Sequence, residues 1–120
     1  MSTKLSEQAL GQLRRALFLI SRGWSQGCAA RNSLGEPCGS LEGSFWSLDA
    51  ALYFREDYSK GFELGFEAET SLREVIGLKS VPEKKIFQGT VAWNDVPTRT
   101  KEEVLTALTK AILRATKAEI

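Results

Sequence analysis

A chain of 120 residues with 42% hydrophobic and 26% charged residues lies within the globular range and is long enough for one core, so a single helical domain over 1–120 is expected. Sixteen basic against fifteen acidic residues leave a net charge of +1, with no basic patch to track phosphates, and direct nucleic-acid binding is not expected. The longest unbroken apolar run, Ala16 to Ile20, follows two arginines and is too short for a secretory core or a membrane span. The expectation is a cytoplasmic protein with no membrane partner.

In chain order, residues 4–22 form the first expected helix. Leu10, Leu13, Leu17 and Ile20 step along one face, and Glu7 near its start and Arg22 near its end match the helix dipole. Gly11 weakens its middle by about 1 kcal/mol, and Gly23 reads as its stop. From Trp24 to Gly43 periodicity disappears, in a stretch with four glycines and one proline. Aromatic residues at both ends, Trp24 and then Phe45-Trp46, pin this loop to the core. Its length implies either an ordered functional loop or a short element hidden around Gly27 to Arg31. Cys28 and Cys38 fall within it. With no histidine in the chain, they read as ordinary thiols rather than metal ligands, a loop disulfide being the alternative.

Residues 44–57 resume helical spacing, with Ser44 as N-cap and Phe45, Leu48, Ala51 and Leu52 on one side. Asp49 is the one acid in that apolar stretch. It is expected at the edge of the helix, reaching water, the alternative being burial against Arg31. Over 61–76 the alternation of Phe62, Leu64 and Phe66 competes with a helical reading in which Phe62, Phe66 and Glu69 share a face. Leu72, Val75 and Ile76 decide for helix, and Gly77 ends it. Val81-Pro82 breaks the chain, and 84–91 reads either as an extended run or as one helical turn beneath Trp93. The last helix, 101–118, opens with a capping box of Thr100 and Glu103. Its stripe of Val104, Leu105, Leu108, Ile112 and Ala115 should pack on residues 5–20. The expected fold is therefore all-α, or mostly α: a small four-helix domain with one long ordered loop.

Three segments carry a resemblance: Gly23-Trp24-Ser25-Gln26-Gly27 with Ala30-Arg31, then Trp46-Ser47-Leu48-Asp49-Ala50-Ala51-Leu52, then Trp93-Asn94-Asp95 with Thr100-Lys101-Glu102-Glu103-Val104. Together they resemble small uncharacterised bacterial and phage proteins, domain-of-unknown-function family 6197. The chain departs from that pattern at Ser47 and Asp49 and over 58–88. The resemblance implies a fold and an origin in phages or mobile elements, and no activity.

Among the polar residues, Asn94 and Asp95 beside Pro97 suit an Asx turn. The functional alternative gathers Gln26, Arg31, Asn94, Asp95 and Arg99 into a ligand-binding cleft. Trp24, Trp46 and Trp93 read as core residues. Glu63, Glu67 and Glu74 make an acidic stripe, either a solvated helix face or a surface for a partner protein, and Lys110, Arg114 and Lys117 suit the C-terminal end of the last helix. The chain has no histidine, no phosphate-cradling loop, no nucleophile motif and no metal-ligand spacing, so neither cofactor nor metal is expected, and catalysis would rest on Asp, Glu, Asn and Cys28. The expected function is non-enzymatic: stoichiometric contact with a host macromolecule, for example as a counter-defence inhibitor of a CRISPR effector, through the loop 26–43 and the acidic stripe. The alternative is a small-ligand-binding protein or enzyme with a polar site around Asn94 and Asp95. A deep polar pocket or an unexplained small molecule at Asp95 would favour that alternative, and a flat, closed surface the first.

Overall fold

The computed structural model describes residues 7–54, 58–78 and 86–117, with side chains described for all of these except 58–66, 86–88 and 117. The apolar stripe of the last helix, α5 (Lys101–Lys117), is covered as its spacing requires. Val104, Ala107, Leu108, Ala111 and Ala115 are buried, and Leu105 and Ile112 flank them. They pack on α1 (Glu7–Arg22), which buries Ala9, Leu13, Ala16, Leu19 and Ile20. Alanines on both helices let the two backbones approach closely, and this pair is the main contact of the fold. The capping box closes as expected: Thr100 N–H donates to Glu103 Oε1 at 2.9 Å, and Glu103 N–H donates to Thr100 Oγ1 at 3.1 Å. The bond from the Thr100 N–H holds the Glu103 carboxyl below its usual range. Lys101 Nζ reaches across to Ser21 O at 2.9 Å, placing a cation on the C-terminal end of α1.

Helix α3 (Tyr58–Val75) adds Ala68 and Leu72 to the core. Gly77, at φ +82°, ends it in the left-handed conformation that glycine adopts without strain. Leu78 N–H bonds to Arg73 O at 2.9 Å and Gly77 N–H to Glu74 O at 3.4 Å, the two bonds of a Schellman stop. Gly23 ends α1 for a different reason. It does not take a positive φ, but a Cβ there would lie 2.1 Å from Ser44 O. The chain after α1 is therefore pressed against residues 44–45 at a distance that only glycine permits.

The four-helix expectation needs correction, because the described residues form five helices and a small sheet. The fold remains mostly α. Within the long loop, β1 (Ala30–Arg31) is the central strand of a three-stranded antiparallel sheet between β2 (Pro37–Cys38) and β3 (Phe45–Trp46). Ala30 faces Cys38 on one side and Trp46 on the other. A 3-10 turn, Ser40–Glu42, lies between β2 and β3, and Trp46 Nε1 donates to Ser40 O at 2.9 Å. The hidden element around Gly27 to Arg31 is thus a strand. Cys28 and Cys38 are free thiols.

The sheet also explains why helix does not begin at Ser44. Ser44 N–H is bonded to Arg31 O and Trp46 N–H to Gly23 O, at 2.8 and 3.0 Å, so the backbone there is committed to strand pairing. Helix α2 shrinks to Leu48–Leu52, and Ser47 is its N-cap, accepting from Ala50 N–H at 3.2 Å. Residues 55–57 of the expected helix, the break at Val81-Pro82, and the expected helix ends at 4 and 118 lie outside the described residues. The open choice over 84–91 resolves as helix: α4 runs Ile86–Asn94 and leads to Trp93 and Asn94. No helix among the described residues is long and apolar enough to cross a membrane.

Leu108 is completely buried between α5 and α1. Leu108→Ala should lower stability by about 2–5 kcal/mol through the cavity it leaves, and Leu108→Asp should abolish cooperative melting by circular dichroism, because it buries an unpaired charge. A Leu108→Asp protein melting with the parent would contradict this core.

Candidate functional site

The Trp93-Asn94-Asp95 corner at the end of α4 forms the framework of the site. Asn94 is 1% exposed, and its side-chain amide makes four hydrogen bonds. Oδ1 accepts from Trp24 Nε1 at 2.8 Å and from Leu48 N–H at 3.1 Å; Nδ2 donates to Ser25 O at 3.0 Å and to Asp95 Oδ1 at 2.9 Å. These fill the two donor and two acceptor positions of an amide. Leu48 is the first residue of α2, so Asn94 also satisfies an N–H that the helix leaves unpaired. Gly27 N–H adds a bond to Asp95 Oδ1 at 3.1 Å. Gln26 Nε2 donates to Asn94 O and Val96 O at 2.9 and 2.8 Å, stopping the C-terminal end of α4. The corner thereby fastens the 24–27 loop, the start of α2 and the end of α4 to one another.

Beside it opens a pocket of about 310 Å³. The loop contributes Gly27, Cys28, Ala29 and Ser40; α2 and its flanks contribute Ser47, Asp49, Ala50 and Tyr53; α4 contributes Val91 and Asn94, followed by Asp95. The walls are mainly apolar. The Cys28 thiol faces Ala30 O at 3.4 Å and Ser25 Oγ at 3.6 Å.

The polar feature of the wall is the Asp49 carboxyl. Asp49 is half-buried, and its Oδ1 is out of reach of solvent. Burial, followed by the adjacent Glu69 and then Asp95, pushes its pKa up to about 8. Glu69 projects from α3 and is 0% exposed. Burial raises its carboxyl above the usual range, while Thr90, Tyr53, Asp49 and the Arg73 guanidinium oppose that rise. Thr90, Tyr53, Asp49 and Arg73 thus surround the Glu69 carboxyl. Arg73 is 4% exposed and lies against the backbone of α4, where a Cβ on Gly89 would come within 2.8 Å of its Nη1. The Asp49 carboxyl therefore lies on the pocket wall with the buried Glu69 and Arg73 behind it, and its raised pKa leaves it mostly protonated at neutral pH.

Of the ligand-binding residues expected from sequence, Gln26, Asn94 and Asp95 come together in one network, and only Asn94 and Asp95 line the pocket. Arg31 is turned away: its Nη1 donates to Gly35 O at 3.0 Å and its Nη2 to Gln26 O at 3.3 Å, bracing the β1–β2 hairpin. Arg99 stacks on Trp93 with its guanidinium carbon 3.9 Å from the ring centre, and bonds Trp93 O and Glu103 Oε2 at 2.9 and 3.2 Å, joining α4 to α5. Asp49 meets neither expectation fully: it is half-buried, its Oδ1 is cut off from water, and its neighbour is Glu69 rather than Arg31. On the acidic stripe, Glu74 is exposed and pairs with Arg114 at 3.7 Å, Glu67 is half-buried, and the Glu63 side chain lies outside the described residues. The Asp49–Glu69 pair and Tyr53 were not foreseen as a site. The available signal was Glu69 itself, an acid in phase with Phe62 and Phe66.

A buried carboxyl with a raised pKa makes stability depend on pH with a definite sign. Below about pH 4 the native and unfolded chains both hold the proton. From there to about pH 8 the native chain keeps a proton on Asp49 that the unfolded chain has lost. Native stability therefore falls as pH rises, by at most about 1.4 kcal/mol per unit, and levels off above. Glu69 acts in the same direction. Urea denaturation at pH 5 and pH 8 should show the parent losing stability relative to Asp49→Asn at the higher pH; a difference independent of pH would contradict the assignment.

No curated protein and no solved structure gives a significant match to the chain. The model of a family of unknown function does match, over residues 5–114, a span that includes the Asn94 corner, the pocket, Asp49 and Glu69. The chain belongs to that family of unknown function, DUF6197.

Proposed function

We propose that this protein binds a small organic ligand in the pocket between the 27–29 loop, α2 and α4, with the Asp49 carboxyl as its polar anchor. The observation that carries this reading is the coincidence, in one cavity beside Asp95, of apolar walls and a desolvated carboxyl. Perturbed titratable groups in a concave, mainly apolar site are what ligand recognition and acid–base chemistry both employ. The volume suits a small molecule at the lower end of the usual ligand range. With Asp49 and Asp95 on the wall and no Lys or Arg among the lining residues, an anionic ligand is disfavoured. On a bound substrate, a protonated Asp49 would also be placed to act as a general acid.

A second reading, contact with a host macromolecule as a counter-defence inhibitor would make it, draws support from the loop 26–43. Leu34 and Leu41 are 81% and 62% exposed there, although large apolar side chains gain nothing from water. The acidic stripe adds less to this reading, because Glu74 already has Arg114 as its counter-ion.

A thermal-shift screen with a library of small metabolites separates the two. A ligand at about 100 times its Kd should raise Tm by on the order of 10 °C, and Ala50→Trp, which fills the pocket, should abolish that shift. Hits that survive Ala50→Trp would move the site elsewhere. A macromolecular partner captured by the parent and by Asp49→Asn, but lost with Leu34→Asp, would favour the second reading.

A further inference from the structure

The pocket wall is one-sided in its chemistry. Asp49 and Asp95 present carboxyl oxygens, the completely buried Glu69 stands behind Asp49, and none of the lining residues carries a positive charge. Arg73, the cation close to this group, is already turned to Glu69. The Asn94 amide is saturated by its four bonds, and the Ser47 hydroxyl accepts from Ala50 N–H. Asp49 Oδ1 is buried, and Glu69 beside it has Thr90, Tyr53 and Arg73 around it, so Asp49 and Asp95 are the acids that the pocket itself offers.

We propose that the pocket takes a small organic cation bearing N–H donors, a primary amine or an amidinium, whose charged head meets Asp49 and Asp95 and whose apolar part lies against Ala29, Ala50 and Val91. The inference rests on the pocket reading above and narrows its ligand class. An ammonium or amidinium has donors and no acceptor, the complement of a wall of carboxyl oxygens. The Tyr53 ring at the same wall adds an aromatic face that attracts a cation. Among the described residues, the titratable and charged groups facing Asp49 are Glu69 with Arg73 behind it on α3, Asp95 after α4, Cys28 from the loop and Tyr53 from its own helix. A cation entering this set displaces the proton held by Asp49. Binding therefore releases a proton to the buffer below about pH 8, and affinity rises with pH by up to tenfold per unit until that value and is flat above it.

The test is calorimetric titration of the full chain with n-butylamine, benzylamine and benzamidine, against n-butanol and benzyl alcohol, at pH 6, 7 and 8.5 in two buffers of different ionisation enthalpy. The expected result is that the nitrogen compounds bind at least tenfold more tightly than the alcohols, gain affinity with pH, and release protons. Asp49→Asn, which keeps the shape of the side chain, should remove both the pH dependence and the proton release while retaining the parent's circular dichroism. Equal binding of amines and alcohols, or preference for alcohols, overturns the charge inference and leaves the pocket reading standing. If none of these probes binds, the charge inference is likewise overturned, and the pocket reading is then judged by whether a neutral library hit is lost in Ala50→Trp.

Discussion

Asn94 is the constraint on which the site depends. A completely buried primary amide is stable only if its two donors and two acceptor positions are met together, and here they are met from three separate parts of the chain: Trp24 and Ser25, Leu48, and Asp95. Removing the amide would strand several buried polar groups, each costing about 1–3 kcal/mol. No other side chain of that size offers both kinds of group. Aspartate would set oxygen against Ser25 O, and leucine would leave the Leu48 N–H and the Trp24 indole unmet. The wall of the pocket is thus held by directional bonds, which fix the separation of loop and helices where apolar packing would let them close.

That rigidity allows the fold to keep two carboxyls in an environment that opposes their charge. Asp49 and Glu69 do not stabilise the protein at neutral pH. Their raised pKa values mean that the native state disfavours the ionised form, and Arg73, Thr90 and Tyr53 offset only part of that cost. Apolar residues on both helices would serve stability better. The pair lies beside an open cavity, whereas the main core between α1 and α5 is assembled from alanine, leucine, isoleucine and valine.

The long elements were legible in the sequence because their signals repeat. α1 and α5 carry apolar residues at every third and fourth position over about four turns, and Thr100 and Glu103 mark a boundary that the backbone bonds reproduce. The three strands were hidden by their length. Each has two residues, too few for any alternation, and their pairing is set by Gly23 and by turns rather than by apolar pattern. Ser44 was mistaken for a helix cap for the same reason, since nothing local shows that its N–H is already taken by Arg31 O. At the site, Asn94 and Asp95 were identifiable as a polar corner. Arg31 and Arg99 were misplaced because an arginine beside a loop is as readily satisfied by carbonyls and an aromatic ring as by a ligand. The Asp49–Glu69 pair joins residues twenty positions apart on different helices, and only the packing of α2 against α3 brings them together.

The fold holds the Asp49 carboxyl in its protonated form at the pocket wall. The most direct measurement is a pH titration of the side-chain carboxyl carbon of Asp49 by NMR, in protein labelled with 13C at aspartate and assigned through Asp49→Asn. The expected midpoint for Asp49 is near 8. A midpoint at about 4, the value of an unperturbed aspartate, would contradict it.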